Sequence, residues 1–130
     1  VIAEEWIEGS EYTVAILGEE TLPSIKLETN HTFYDYTAKY LANDTIYKCP
    51  CGLGVEEEKL LTNLAVEAFT SIGCSGWGRV DIMSNSDGEF FLLEVNTVPG
   101  MTDHSLMPIA AVAAGYNFDE LALKILDSSL

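Results

Sequence analysis

Positive charge is scarce in this chain: Lys and Arg number 6 against 21 Asp and Glu over 130 residues, a formal net charge of −15. A nucleic-acid backbone and an anionic membrane surface are themselves negative, so neither is expected as a partner. Long apolar runs are missing too. No stretch is long enough to span a bilayer as a helix, and no basic segment followed by an apolar one opens the chain, so no membrane association is expected. Cysteine is sparse and odd in number (Cys49, Cys51 and Cys74), which fits a reducing cytoplasm better than a disulfide scaffold. Cys49-Pro50-Cys51 has no second cysteine pair and no histidine near it in sequence, and reads as structural or incidental rather than as a zinc site. Internal repeats and low-complexity segments are absent.

What is present suits a folded domain. Nearly half of the residues (48%) are hydrophobic, enough for a single core in one domain of this length. The acidic excess keeps such a domain soluble, and Glu56-Glu57-Glu58 sits where the first turn of a helix would face the positive end of its dipole. Val1 opens the chain within what reads as a strand, as a segment of something longer would.

The hydrophobic pattern predicts an α+β domain. Val1 to Ile7 reads as a strand, Glu11 to Leu17 as a second with Tyr12, Val14 and Ile16 on one face, and Leu22 to Glu28 as a third. Thr29 to Gly54 reads as a long loop rich in aromatics, of the length that is usually functional or mobile. Glu56 to Ile72 is the clearest helix, with Leu60, Leu61, Leu64, Ala68 and Ile72 at three- and four-residue steps and Gly73 as its stop. Gly78 to Met83 and Glu89 to Asn96 follow as two strands. A short helix is expected over Leu106 to Ala114, and a last one after Asn117, with Glu120 completing a capping box.

The two later strands carry the chemistry. Asp87-Gly88 is a two-residue hairpin signal, since both central positions of that turn need positive φ. In that register Asp81 lies opposite Glu94 and Arg79 opposite Asn96, all four on one face. Phe91, Leu93 and Val95 then form a buried opposite side. Two facing carboxylates repel, so something must compensate. Arg79 supplies part, and a hard divalent cation would supply more. Carboxylates with an amide oxygen suit magnesium or manganese rather than zinc. The same face also reads as a solvated surface carrying an Arg–Asp pair. After the hairpin, Pro99-Gly100-Met101-Thr102 is a turn whose N–H groups can meet an anion, and Ser105 opens the next helix.

Gly76-Trp77-Gly78-Arg79-Val80-Asp81 and Leu93-Glu94-Val95-Asn96-Thr97-Val98-Pro99-Gly100-Met101-Thr102 closely resemble paired signatures of the D-alanine–D-alanine ligases, in the ATP-grasp superfamily. Glu4-Glu5-Trp6-Ile7, Phe33-Tyr34-Asp35-Tyr36 and Ala38-Lys39-Tyr40 extend the resemblance along essentially the whole chain. It implies the carboxy-terminal ATP-grasp subdomain over residues 1–130, an antiparallel sheet with flanking helices. Nothing here resembles the family's amino-terminal domain or its central subdomain, so the chain is not expected to run the whole reaction alone. The resemblance also implies ATP, two Mg2+ (or Mn2+) ions, D-alanine as substrate, a homodimeric parent enzyme and a bacterial cytoplasm, where the dipeptide feeds peptidoglycan precursors.

The resemblance further implies a role for each matching residue. Asp81, Glu94 and Asn96 are metal ligands, with Glu94 bridging two ions. Arg79 and the N–H of Gly100 stabilise an oxyanion. Lys39 neutralises the transferred phosphoryl group, on a loop that Tyr40 helps hold down. Ser105 and the backbone of Leu106 grip the carboxylate of the second D-alanine. Glu4 and the backbones of Glu5 and Ile7 read adenine, Trp6 packs beside it, and Glu11 holds the ribose. Two rival readings stay open: a ligase using D-lactate or D-serine as second substrate, and a non-catalytic acidic module that binds divalent cations or a partner protein.

Overall fold

β1 (Gly9–Leu17) is the axis of the fold in a computed structural model of the chain, which describes residues 1–28 and 45–130. Its side chains alternate between two faces. Tyr12, Val14 and Ile16 on one side and Thr13, Ala15 and Leu17 on the other are all buried. A strand buried on both faces needs cover above and below and partners on both edges. β2 (Glu20–Thr21) and β3 (Ile25–Glu28) pair with one edge, and β5 (Trp77–Asn85) with the other, all antiparallel. β4 (Ile46–Lys48) extends the sheet beyond β3, and β6 (Phe90–Asn96) extends it beyond β5. The strand order is β4-β3-β1-β5-β6, with β2 paired to β1.

The cover comes from three helices. On one face, α1 (Val55–Ser71) lays Leu61, Ala65, Ala68 and Phe69 on Tyr12, Val14, Ile16, Val80 and Ile82. On the other, α2 (Leu106–Ala113) and α3 (Phe118–Ser129) bring Leu106, Met107, Ala110, Ala111 and Leu121 against Ala15, Leu17, Leu22, Ile25 and Leu27. Each fully buried Leu or Ile here contributes roughly 1.5–3 kcal/mol. At Gly78 the α1 face lies close against the sheet: a Cβ there would sit 2.6 Å from the Phe69 ring. Glycine is what lets that ring press on the strand.

The helix signals held. Gly73 (φ 83°) ends α1, with Cys74 N–H bonded to Phe69 C=O and Gly73 N–H to Thr70 C=O, the paired bonds of a glycine-terminated helix. Asn117 and Glu120 form the reciprocal capping box at the start of α3.

Other expectations need correction. Residues 1–8 form no strand; β1 begins at Gly9, and none of the described strands pairs with this lead-in. The return after β1 is split into β2 and β3 around Leu22-Pro23-Ser24, and Pro23, without an N–H, falls in the break. β4 lies inside the expected loop, where its pairing to β3 rather than any local pattern makes it a strand. The buried stripe of α1 is turned from the expected one: Leu60 and Ile72 are more than 60% exposed, while Ala65 and Phe69 are buried. The expected loop residues Phe33, Tyr34, Asp35, Tyr36, Lys39 and Tyr40 lie outside the described residues.

Candidate functional site

The face of the sheet that meets α2 and α3 is apolar along only part of its area. Ala15 and Leu17 on β1, with Trp77 on β5, pack against the helices. Farther along the same face β1 carries Thr13 and Glu11, and β5 carries Arg79 and Asp81, all buried. Thr13 pairs with Asp81 across the two strands, and Ala15 with Arg79.

The β5–β6 hairpin reaches its expected register by an unexpected route. Its loop holds three residues, Ser86, Asp87 and Gly88, and Asn85 N–H bonds to Glu89 C=O at 3.0 Å. Asp87 does not take positive φ; Gly88 alone in this loop does, at 80°. Asn85 Oδ1 accepts from the N–H groups of Asp87 (3.0 Å) and Glu89 (2.9 Å), so a side chain closes part of the turn. Ser84, Met83 and Ile82 therefore face Phe90, Phe91 and Leu92, one residue out of the expected alignment. An irregularity between Asp81 and Ile82 leaves Leu93 as an extra residue and cancels the offset. Beyond it Asp81 faces Glu94 and Arg79 faces Asn96, as expected.

The same irregularity overturns the expected buried side of Phe91, Leu93 and Val95. Alternation is broken at Leu93, which is exposed. Phe90 and Val95 pack on the α1-side core, and the Phe90 ring meets Tyr12 edge-on at 6.2 Å. Phe91, paired with Met83, falls on the Asp81 face.

Within this face the charges are closely held. Arg79 Nε donates to Asp81 Oδ1 at 2.9 Å and its Nη2 to Oδ2 at 3.0 Å, a two-pronged ion pair with both side chains under 10% exposed. Thr13 Oγ1 donates to Asp81 Oδ1 at 2.6 Å. Arg79 thus offsets one of the two facing carboxylates, while Glu94 is exposed beside it and Asn96 half-buried. Asn96 Oδ1 accepts from Val98 N–H at 3.1 Å, which turns the chain toward Pro99. The donors are all oxygens, two carboxylates and an amide, a set that suits a hard divalent cation. Among the described residues no three His, Cys, Asp or Glu side chains come together as a metal-binding group.

The loop after β6 folds around Ser105. Its Oγ accepts from Thr102 N–H at 3.0 Å and lies 2.8 Å from the Thr102 hydroxyl. A Cβ at Gly100 would sit 3.0 Å from that Oγ, so Gly100, Thr102 and Ser105 are brought together ahead of α2. Ser105 precedes α2 as its cap residue but directs its hydroxyl into the loop and makes no side-chain cap bond. The Leu106 side chain is buried in the core. Glu4, Glu5 and Trp6 lie exposed and Ile7 half-buried in the irregular lead-in before β1. Lys39 and Tyr40 lie outside the described residues.

Thr13 and Thr102 were not singled out from the sequence. Thr13 reaches Asp81 only through a strand pairing across 68 residues, which leaves no local signal. Thr102 had one, its place in a Pro-Gly turn three residues before Ser105. Glu58 was also missed. It reads as one more solvated acid at the start of α1, yet it accepts from Ser24 N–H (3.2 Å) and from the Cys51 thiol (2.7 Å). Burial first, and then the hydrogen bond to Glu58, push the Cys51 thiol up to about 11. Burial, with the negative charge of Glu58, also raises the Cys49 thiol. Both thiols resist ionisation, which fits a structural role.

Among the described residues no helix is long and apolar enough to cross a membrane. Known proteins resemble this architecture over nearly its full extent. A family model described as D-ala D-ala ligase C-terminus matches residues 1–127. The D-alanine–D-alanine ligase of Halorhodospira halophila is 61% identical over 130 residues, covering 100% of this chain and 43% of that protein. The crystal structure of the Bacillus anthracis D-alanine–D-alanine ligase complexed with ATP superposes with a TM-score of 0.81 at 36% identity, over 97% of this chain and 41% of that one. The VanG D-Ala:D-Ser ligase of Enterococcus faecalis does so with a TM-score of 0.78 at 34% identity, over 97% and 38%. The chain spans about two fifths of the length of these relatives. Its fold is that of the corresponding part of the ligase structures, and the chain belongs to the D-alanine–D-alanine ligase C-terminus family.

Proposed function

We propose that residues 1–130 form the carboxy-terminal ATP-grasp subdomain of a D-alanine–D-alanine ligase, supplying its magnesium, nucleotide and second-substrate side. The observation that carries this reading is the Asp81–Glu94 and Arg79–Asn96 pairing on one face, with Arg79 clamped to Asp81. Two facing carboxylates with an amide oxygen beside them offer the oxygen ligands that a hard divalent cation takes.

In the proposed reaction ATP phosphorylates the carboxylate of one D-alanine. The amine of a second attacks the acyl phosphate, and phosphate leaves. Asp81, Glu94 and Asn96 would hold two Mg2+ (or Mn2+) ions, which when bound neutralise phosphate charge. Arg79 and the Gly100 N–H serve the oxyanion, and Ser105 with the Leu106 N–H takes the carboxylate of the incoming D-alanine. Glu4, Glu5, Trp6 and Ile7 serve adenine, Glu11 the ribose, and Lys39 and Tyr40 the phosphoryl group and its loop. D-alanine as second substrate is supported by the 61% identity to the D-alanine–D-alanine ligase of Halorhodospira halophila. The dipeptide would serve peptidoglycan synthesis in a bacterial cytoplasm, within a homodimeric enzyme whose amino-terminal and central domains bind the first D-alanine and cover the phosphates.

The test is a set of thermal melts with Mg2+, with ADP and with both, on this chain and on Glu94→Gln. Stabilisation that needs both ligands and disappears in the variant supports the reading. A metal effect indifferent to ADP would instead identify an acidic cation-binding module, and no effect under any condition overturns the half-site.

A further inference from the structure

We propose that Thr13 is a positioning residue that holds the Asp81 carboxylate in its metal-binding orientation; this rests on the reading of Asp81 as a magnesium ligand. Thr13 is 1% exposed on the central strand, directly across from Asp81. Its hydroxyl has one proton and two acceptors in range, Asp81 Oδ1 at 2.6 Å and Val80 C=O at 3.4 Å. The shorter contact, to an ionised group, takes the proton.

Among the described residues, Thr13 and Arg79 both hold this carboxylate, and they differ in kind. Arg79 grips both oxygens from the same strand, two residues away, at the end of a long flexible stem. Thr13 is short, β-branched and stiff at χ1, and it stands on a strand with partners on both edges. The terminal torsion of an aspartate is broad, so its plane needs outside restraint. In the proposed reaction Arg79 also serves a substrate oxyanion. Thr13 donates to Oδ1 from a different strand, so its hold on the carboxylate does not depend on where the guanidinium lies. A threonine wanted only for strand packing would be equally served by valine, which has nearly the same shape but no proton to donate.

That difference sets the experiment. Mn2+ stands in for Mg2+, and its binding in the presence of ADP is followed by electron paramagnetic resonance for the unaltered chain, Thr13→Val and Thr13→Ser. Circular dichroism establishes that each variant is folded. Thr13→Val is expected to weaken Mn2+ binding about tenfold, the scale on which partners of metal ligands act. Thr13→Ser keeps the hydroxyl and should stay within about twofold of the unaltered chain. Equal affinity in Thr13→Val, or an equal loss in both variants, overturns the role of Thr13 while leaving the metal site intact. If the unaltered chain binds no Mn2+ with ADP, the reading of Asp81 as a ligand falls, and the role of Thr13 with it.

Discussion

The two faces of the central sheet are built differently. Against α1 the contact is almost wholly apolar: Tyr12, Val14, Ile16, Val80 and Ile82 meet Leu61, Ala65, Ala68 and Phe69. Against α2 and α3 apolar packing covers Ala15 and Leu17, then gives way along the same strands to Thr13, Glu11, Arg79 and Asp81. Strand alternation is the same on both sides, so the difference lies in what each helix layer covers. The α1 side spends its area on stability. The other side uses part of its area to hold charges in fixed geometry, a cost in desolvation that apolar packing elsewhere must offset.

This contrast can be broken by mutation. The largest effect is expected from Arg79→Ala, which removes the guanidinium clamped on the buried Asp81 carboxylate. Urea unfolding should show a loss of about 3–5 kcal/mol, whereas replacing Arg79 and Asp81 together with Met and Leu should cost far less. A loss below about 1 kcal/mol in the single variant would mean that the pair is not a buried unit. Next come Leu61→Ala and Met107→Ala, each removing a fully buried side chain from one helix layer. Both should cost about 2–5 kcal/mol in the same measurement. If Met107→Ala proves nearly neutral, the α2 side is not packed as a core, and the contrast would lie in packing quality instead of charge.

The smallest effect is a pH dependence at the edge of the α1 layer. Burial and Glu58 raise the Cys51 thiol from 9.0 to about 11 in the folded chain. A raised folded value favours the neutral thiol. Its contribution is therefore fully present below pH 9 and is lost as pH rises toward about 11. The unaltered chain should lose stability more steeply than Cys51→Ala across that window, read as the difference between their urea midpoints at each pH. Identical slopes would show that burial and Glu58 together do not hold the thiol protonated.

Much of the site was legible locally. The Asp81–Glu94 and Arg79–Asn96 pairings follow from strand spacing once a hairpin is placed at Gly88, and the capping box at Asn117 is a three-residue pattern. Yet the pairing came out as expected only because two departures cancel: a three-residue loop shifts the register by one, and the extra residue at Leu93 shifts it back. Alternation read through Leu93 consequently put Phe91 on the wrong face. Glu58 and Thr13 show the same limit from another side. Each is ordinary in its own segment and acquires its role from a partner far along the chain, Ser24 for Glu58 and Asp81 for Thr13.

The sequence by itself determined the helices, their stops and caps, the apolar strand cores and the family signatures, because these depend on residues within a turn or two of one another. Only the tertiary structure decided that β1 joins β5 to make one sheet, that β4 is a strand, and that Thr13 meets Asp81. Backbone hydrogen bonds between strands are satisfied by partners that can lie anywhere in the chain, and a strand's own pattern does not name its neighbour.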